Sequence, residues 1–259
     1  MSSGFPSPAL EGAPVDMAVN LGFQTQLVIS QSILALIITV FVARRSSAET
    51  RWVNLMLLVA GGCSILCESL ADATLLIWHP TPGQWNAYHA FGHYVPIWVA
   101  LVFYWSFGGQ AIWLLHDLRA GVTRKKLWQL YWFFAFTDLL FELPPLWMNV
   151  YVYYGTQPLV WPPILALPMY LPFGNAMVPV AAAVAALMAE RHLNARKQPW
   201  LVVPLALTAM FCGIVMYGWP VALPLNGDAP VWLIHAGGLL SIAISLLFMR
   251  IVANAFGSK

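Results

Sequence analysis

Charged residues are scarce in this sequence. They make up 8% of its 259 residues, whereas hydrophobic residues make up 60% and the mean hydropathy is +0.73. A soluble domain carries about 25% charged residues. A chain so poor in charge cannot cover a surface that faces water. The composition therefore excludes an ordinary soluble domain and predicts an integral membrane protein.

Several familiar signatures are missing as well. The three cysteines, Cys63, Cys67 and Cys212, lie in apolar runs without CxxC or CxxH spacing, so we expect small packing residues. There is no G-x-G-x-x-G or P-loop motif to support nucleotide chemistry. The opening MSSGFPSPALEGAPVDMAVN has no basic segment before an apolar core, so no cleavable signal peptide is predicted.

What the sequence has in abundance is long apolar windows. A helix needs about 20 residues to cross about 30 Å of hydrocarbon. About seven windows of this length are predicted, near residues 22–43, 52–78, 88–116, 126–150, 161–189, 200–225 and 231–254. All 12 Lys and Arg residues fall on one side of them. By the positive-inside rule that side is cytoplasmic, so the N-terminus is predicted outside and the C-terminus inside. Because topology accounts for the basic residues, nucleic-acid binding is unsupported.

The predicted fold is therefore an all-α integral membrane bundle of about seven transmembrane helices. We expect residues 1–21 to form an extracytoplasmic tail and residues 22–256 a single transmembrane domain. The expected location is the inner (cytoplasmic) membrane, with multiple passes; the oligomeric state is left open.

The fifth window contains Pro162, Pro163, Pro168, Pro172 and Pro179. Its first half is either an irregular segment facing a cavity or a loop reaching about residue 168.

Three pairs of ionisable residues fall inside the second, third and fourth windows. Each pair is spaced i, i+4, so both members would project from one helix face. The pairs are Glu68 with Asp72, His89 with His93, and Asp138 with Glu142. Such groups cost about 2.5 kcal/mol or more at the bilayer centre and mark functional sites by default. Counting ~1.5 Å per residue places Glu68, His93, Asp138 and Glu142, together with His235, in one layer of the outer half of the membrane. This pattern predicts a polar chamber.

Carboxyl groups in a dry chamber can serve acid–base chemistry, because a neutral acid donates a proton and an ionised neighbour accepts one. Many aromatic residues crowd the same half of the chain. Some fit an interfacial belt, and others would stabilise positive charge on a reacting ligand.

Other chemistry remains open: His89-x3-His93 with nearby carboxylates resembles zinc or iron spacing in a general way. A proton-coupled carrier could also use the acids, although no inverted repeat is visible.

Residues 141–175 read FELPPLWMNVYVYYGTQPLVWPPILALPMYLPFGN. This segment is similar to the E-(x)n-Y-x-YYG-x-QPL stretch, followed by an aromatic and proline-rich run ending in Asn, of the AveC-like spirocyclase family of bacterial membrane proteins. The stretch ESLADATLLIW gives weaker support. The resemblance implies a polytopic membrane enzyme like the family's founding member, which forms a spiroketal during assembly of a polyketide macrolide. The matched positions are Glu142, Tyr153, Tyr154, Gly155, Gln157, Pro158 and Asn175.

We therefore expect a membrane-embedded, cofactor-free acid–base enzyme that cyclises, dehydrates or isomerises a lipophilic natural product such as a polyketide or isoprenoid. Glu142 or Glu68 would donate the proton, Asp138 or Asp72 would accept it, and His93 would orient or relay. The predicted substrate-binding residues are His89, Trp98, Trp147, Tyr153, Tyr154, Gln157, Asn175 and His235. No metal ligand is predicted. The alternatives are a membrane terpene cyclase, a metal-dependent membrane hydrolase or hydroxylase, and a proton-coupled carrier or binding protein for a hydrophobic small molecule.

Overall fold

Helices dominate the computed structural model, which describes residues 12–160 and 166–258. They are α1 (Leu21–Arg45), α2 (Arg51–Cys63), α3 (Glu68–Leu75), α4 (Ile97–Ala120), α5 (Arg124–Trp147), α6 (Leu171–His192), α7 (Val202–Leu225) and α8 (Val231–Phe256). Within the described residues, six helical segments are long and apolar enough to cross a membrane. The prediction of a helical, multi-pass membrane protein is thus confirmed in its coarse form.

The helix boundaries follow most of the predicted windows. A turn of 3-10 helix, Ser64–Cys67, joins α2 to α3, so Arg51–Leu75 forms one long segment. The fifth window is shorter than predicted, because α6 begins only at Leu171. Residues 161–165 of that window and residues 1–11 of the expected tail lie outside the described residues. The α5 helix has 24 residues but is less apolar than the six segments, since it contains Asp138 and Glu142.

Local sequence explains where several helices begin and end. The side chain of Asn20 accepts a bond from the backbone N–H of Phe23 at the start of α1, and Thr123 does the same for Lys126 in α5. Such caps satisfy backbone donors that have no partner within the helix. Gly121 ends α4 with a φ of 83°, a left-handed conformation that glycine adopts without steric cost.

Two short antiparallel ribbons, which the sequence did not predict, lie among the helices. Strand β1 (Ile77–Trp78) pairs with β4 (Val152–Tyr153), and β2 (Asn86–Ala90) pairs with β3 (His93–Pro96). The predicted helix over residues 88–96 is therefore wrong. Phe91 and Gly92 have φ values of 52° and 80°, as a tight two-residue hairpin turn requires. In this hairpin, His89 lies opposite Tyr94 and His93 opposite Ala90, so the two histidines do not share a helix face.

Close helix packing fixes the centre of the bundle. A Cβ atom on Gly61 of α2 would lie 2.6 Å from the carbonyl oxygen of Phe103 in α4, and one on Gly108 of α4 would lie 2.8 Å from the carbonyl oxygen of Leu57. These distances are too short for any side chain. Glycine is therefore required at both positions, and the backbones of α2 and α4 are in direct contact.

A polar network joins the helix ends that contain the basic residues. Arg119 at the end of α4 binds both carboxylate oxygens of Glu190 in α6, at 3.0 and 2.7 Å. It also donates to Asn54 of α2 at 3.1 Å. Arg196 lies 3.5 Å from Glu49 and from Glu190. The basic ends of three helical segments therefore meet at the same end of the bundle.

The first helix presents an apolar outer surface. Only 11% of its most apolar window is buried, and large side chains such as Ile33, Leu36 and Phe41 are more than half exposed. In water such a surface would be unstable, whereas in a bilayer it contacts acyl chains. The exposed face of α1 is thus consistent with association with lipid.

Candidate functional site

A cavity of about 230 Å³ lies among the helices. Phe23 and Leu27, near the start of α1, line it, whereas Arg44 and Arg45 occupy the opposite end of that helix. The cavity is therefore in the half of the bundle distant from the basic residues. Its walls are mainly apolar, and its polar lining is contributed by Gln31, Glu68, His79, Ser106, Gln110, Asp138, Glu142, Tyr151, Tyr153, Asn175 and Tyr217.

One wall of the cavity holds Asp138 in a chain of hydrogen bonds. The side-chain amide of Asn175 in α6 donates to both oxygens of Asp138, at 3.2 and 3.3 Å. The hydroxyl of Tyr217 in α7 donates to the amide oxygen of Asn175 at 2.7 Å. Three helices therefore fix the orientation of this carboxyl group, and both of its oxygens accept bonds.

Glu142 lies one helical turn further along the same face of α5. The hydroxyls of Tyr151 and Tyr153 both donate to its Oε2 atom, the second at 3.5 Å. Pro144 and Pro145 follow within the last turn of the helix, and the chain then returns through Tyr151 to strand β4. The returning segment thus supplies the tyrosines that bind Glu142. We call Asp138, Glu142, Asn175, Tyr151, Tyr153 and Tyr217 the tyrosine wall.

The β1–β4 ribbon connects this wall with the other side of the cavity. Leu76 ends α3 in a left-handed conformation, with a φ of 54°, and directs the chain into β1. Because Trp78 pairs with Val152, the next residue, His79, lies beside Tyr151, with ring centroids 5.6 Å apart. The ribbon therefore sets the position of His79 relative to the tyrosine that binds Glu142.

Glu68, Asp72 and His79 form a second polar wall, which we call the α3 triad. One ligand-type atom from each residue lies within 4.8 Å of the others, an arrangement that could hold a metal ion. His79 Nδ1 lies 3.3 Å from Asp72 Oδ2. Burial lowers the pKa of His79 to about 4 despite the opposing effect of Glu68, so the imidazole is neutral at pH 7. Glu68 and His79 line the cavity, and Asp72 lies behind them.

Six of the residues predicted for the site line the cavity together. They are Glu68, Trp98, Asp138, Glu142, Tyr153 and Asn175. Asp72 is in contact with this group through His79. The carboxyl groups that the sequence placed on separate helices therefore face a shared space.

The remaining predicted residues do not line the cavity. His93 is buried against Trp78, with ring centroids 5.8 Å apart, and burial, aided by His79, lowers its pKa to about 4. His89 is exposed and stacks on Tyr94 at 4.2 Å because the hairpin turns it outward. The Nδ1 atom of His235 accepts a bond from the backbone N–H of Leu159 at 3.1 Å.

Three further predicted residues lie at the end of α5 or in the segment that follows it, outside the lining. Gln157 donates to the carbonyl oxygens of Leu75 and Tyr154, at 2.9 and 2.8 Å, and thereby fastens this segment to the end of α3. Tyr154 is buried, and its backbone N–H donates to Leu76. Trp147 is 56% exposed at the end of α5. Gln157 and Tyr154 therefore support the segment, and none of the three residues lines the cavity.

Sequence reasoning missed His79, Tyr151 and Tyr217 as site residues. Tyr151 could have been found, because it opens the Y-x-YYG motif beside two predicted binding residues. His79 could not, because only the β1–β4 pairing brings it to the cavity. Tyr217 occurs within the apolar run of α7, and no local pattern separates it from a packing residue.

Comparisons of the chain with protein-family models, with characterised proteins and with solved structures found no match. The functional inferences below therefore rest on the residues and on the geometry of the cavity.

Proposed function

We propose that this protein is a membrane-embedded acid–base enzyme that cyclises, dehydrates or isomerises a lipophilic small molecule. The observation that carries the proposal is the tyrosine wall, in which two carboxyl groups one helical turn apart border a mainly apolar cavity. Polar groups set into an apolar pocket of this kind are the usual form of a small-molecule site. The reactions named need a proton delivered at one atom and removed nearby, and they require no redox cofactor.

The hydrogen bonds divide the roles of the two carboxyl groups. Asp138 accepts bonds at both oxygens from Asn175 and is the base. Glu142 accepts its tyrosine bonds at Oε2 and donates a proton from its other oxygen. Tyr217 orients Asn175, and the ring of Trp98 borders the cavity on the side of α4. Placing acid and base on one rigid helix face keeps both within reach of a single bound molecule.

The apolar lining suits the intermediates of these reactions. Protonation of a carbonyl, hydroxyl or alkene produces an oxocarbenium ion or carbocation, which bulk water would intercept. Aromatic faces such as those of Trp98 and Tyr151 stabilise positive charge, and exclusion of water strengthens the electrostatic effect of the carboxylate. The cavity therefore provides both stabilisation and protection for a cationic intermediate.

The resemblance to the AveC-like spirocyclases supports the same class of reaction. Among the matched positions, Glu142, Tyr153 and Asn175 line the cavity. Gln157 and Tyr154 hold the segment that brings Tyr153 there. A polyketide or an isoprenoid is the substrate class we propose, with membrane terpene cyclisation as the alternative within this chemistry.

We further infer that α5 is a seventh transmembrane helix. Its 24 residues span ~36 Å, enough to cross the hydrocarbon core despite its polar side chains. With seven crossings, the described basic residues lie at one end of the bundle. The N-terminus is then outside, and the C-terminus is on the cytoplasmic side of a bacterial inner membrane. The cavity then lies in the outer half of the membrane, where a lipophilic substrate reaches it from the bilayer.

Metabolite comparison tests the proposed function. Lipid extracts are compared from a strain that carries the gene, its deletion mutant, and mutants complemented with wild type, Asp138→Asn or Glu142→Gln. The deletion should accumulate a precursor that is isomeric with the missing product or heavier by one water. Neither substitution should restore the product, because each removes a proton donor or acceptor.

Asp228→Asn is the matched control, because Asp228 is an exposed carboxylate in the α7–α8 loop. It should restore the product fully. Restoration by both Asp138→Asn and Glu142→Gln would show that the carboxyl groups are not the acid and base. Redistribution of one unchanged compound across the membrane would indicate a carrier instead.

A further inference from the structure

The α3 triad lacks the hydrogen bonds that the tyrosine wall possesses. Asp72 is fully buried, and His79 is 3% exposed. Within residues 12–160 and 166–258, the two carboxylate oxygens of Asp72 and the Nδ1 atom of His79 have no hydrogen-bond partner. The two side chains nevertheless lie 3.3 Å apart. Buried polar atoms are almost always satisfied, and an exception calls for an explanation such as an ion.

The three side chains converge on one point from two elements. Glu68 and Asp72 are four residues apart in α3 and share a helix face, and His79 follows strand β1. Their ligand atoms lie within 4.8 Å of one another. Around a zinc ion with bonds of ~2.1 Å, tetrahedral ligand atoms are ~3.4 Å apart. Side-chain rotations that move each ligand atom by less than about an ångström would therefore bring all three atoms within bonding distance of one ion.

The surroundings fix the imidazole in this position. The ring of His79 lies 5.8 Å from that of Trp98 and 5.6 Å from that of Tyr151, measured between centroids. Pairing of β1 with β4 holds the backbone on either side. A ligand held in this way loses little conformational freedom when it binds an ion.

The geometry also leaves one side of the triad open. Glu68 and His79 line the cavity, whereas Asp72 closes the site from behind. An ion bound by these three residues would have its remaining coordination positions directed into the space that Asp138 and Glu142 border. Three protein ligands with an open position distinguish catalytic metal sites from closed structural ones.

We propose that Glu68, Asp72 and His79 bind one divalent transition-metal cation at the edge of the cavity. The donor set of two carboxylates and one imidazole suits Zn²⁺, Mn²⁺ or Fe²⁺ better than Mg²⁺ or Ca²⁺, which prefer all-oxygen ligands. When bound, the cation would polarise an oxygen atom of the substrate as a Lewis acid. The proposal rests on this geometry alone and does not depend on the reaction proposed above.

Metal binding to the purified full-length protein in detergent tests this inference. The protein is stripped with a chelator and dialysed, without substrate, against Zn²⁺, Mn²⁺ or anaerobic Fe²⁺, and the metal is counted per chain. We expect one equivalent of at least one cation. Asp72→Asn and His79→Gln should each weaken binding by about 100-fold or more, since loss of an outer-shell partner alone costs 10–100-fold.

His116→Gln serves as the control, because that side chain is 78% exposed at the other end of α4. It should bind metal as the wild type does. Size-exclusion profiles establish whether the variants fold. If they do not, the absorption spectrum of the Co²⁺-loaded wild type decides, because ligation inside the site gives intense low-symmetry bands that a hexa-aqua ion lacks.

The proposal is wrong if the wild type retains none of the three cations at one per chain, or if the folded Asp72 and His79 variants bind them equally well. Neither result affects the test of Asp138 and Glu142, which measures product in cells. Failure of the metal site and failure of the proposed reaction are therefore distinguishable.

Discussion

The two polar walls of the cavity differ in how their carboxyl groups are satisfied. In the tyrosine wall, Asp138 and Glu142 accept hydrogen bonds from Asn175, Tyr151 and Tyr153. In the α3 triad, Asp72 is fully buried and has no hydrogen-bond partner among the described residues, although the neutral imidazole of His79 lies 3.3 Å away. Both carboxyl groups of the tyrosine wall accept hydrogen bonds from neutral donors, whereas Asp72 in the α3 triad needs a proton or a cation to compensate its charge.

This difference indicates two uses of buried carboxyl groups in one cavity. A carboxyl group fixed by neutral donors keeps a defined geometry and can exchange protons with a bound molecule. A carboxyl group without donors is costly to ionise in an apolar setting, unless an ion compensates its charge. Four experiments test whether the two walls differ in this way.

The largest effect is expected from removal of the proton donor. Glu142→Gln keeps the size of the side chain and lowers turnover by ~10²–10⁴-fold, the usual contribution of a general acid. Product formation in membranes, with precursor extracted from the deletion strain, measures the loss. Asp228→Asn should leave the rate unchanged. A Glu142→Gln rate within threefold of wild type would remove the tyrosine wall from the chemistry.

Metal should stabilise the protein only through the α3 triad. Zn²⁺ at 100 times its dissociation constant should raise the free energy of unfolding by about 2.7 kcal/mol in the wild type. The same addition should leave Asp72→Asn unchanged. In the presence of a chelator, Asp72→Asn should be no less stable than wild type, because it removes a buried carboxyl group that has no hydrogen-bond partner within residues 12–160 and 166–258. Thermal unfolding in detergent gives both comparisons, and equal Zn²⁺ stabilisation of the two proteins would contradict them.

A methyl group at position 174 should disrupt the tyrosine wall sterically. A Cβ atom on Gly174 would overlap the ring of Tyr217, whose hydroxyl binds Asn175. Gly174→Ala should therefore lower the free energy of unfolding by roughly 1–3 kcal/mol, as overpacking does. Gly109→Ala is the control, because no atom of the described chain outside its own helix turn lies within 4 Å of the added Cβ atom, and it should be neutral or slightly stabilising. Equal stability of the two variants would contradict the packing described here.

The smallest effect is expected from loss of one hydroxyl. Tyr217→Phe removes the bond of 2.7 Å to Asn175 and should cost about 0.5–1.5 kcal/mol of stability. It should also reduce turnover modestly, because Asn175 then orients Asp138 less well. Chemical denaturation and the product assay measure the two effects. Unchanged values in both would mean that this bond does not orient the base.

Hydropathy and charge predicted the helical membrane class, because both are summed over long windows. They did not predict the hairpin of residues 86–96, whose histidines and tyrosines occur within an apolar run that also fits a helix. Only Phe91-Gly92, a two-residue turn, marks the strands. The start of α6 at Leu171 agrees with both alternatives suggested by the prolines before it, because residues 166–170 are not helical.

The two carboxyl groups of the tyrosine wall were predictable because their spacing is a local feature of the sequence. The spacing of Asp138 and Glu142 fixes one helix face whatever the tertiary structure, and both residues do line the cavity. Their partners depend on contacts between distant segments. Tyr217 follows Asp138 by 79 residues in the sequence. Only the packing of their helices brings the two side chains together through Asn175.

The 3-10 turn at Ser64–Cys67 has a consequence for where Glu68 points. In an uninterrupted α-helix, residues seven apart differ by only ~20° in direction, so Glu68 would face the backbone of α4 as Gly61 does. Each 3-10 residue turns ~20° further than an α-helical one, so four of them advance the phase by ~80°. A single tightened turn thus lets one continuous segment pack Gly61 against α4 before the turn and direct the carboxylate of Glu68 into the cavity after it.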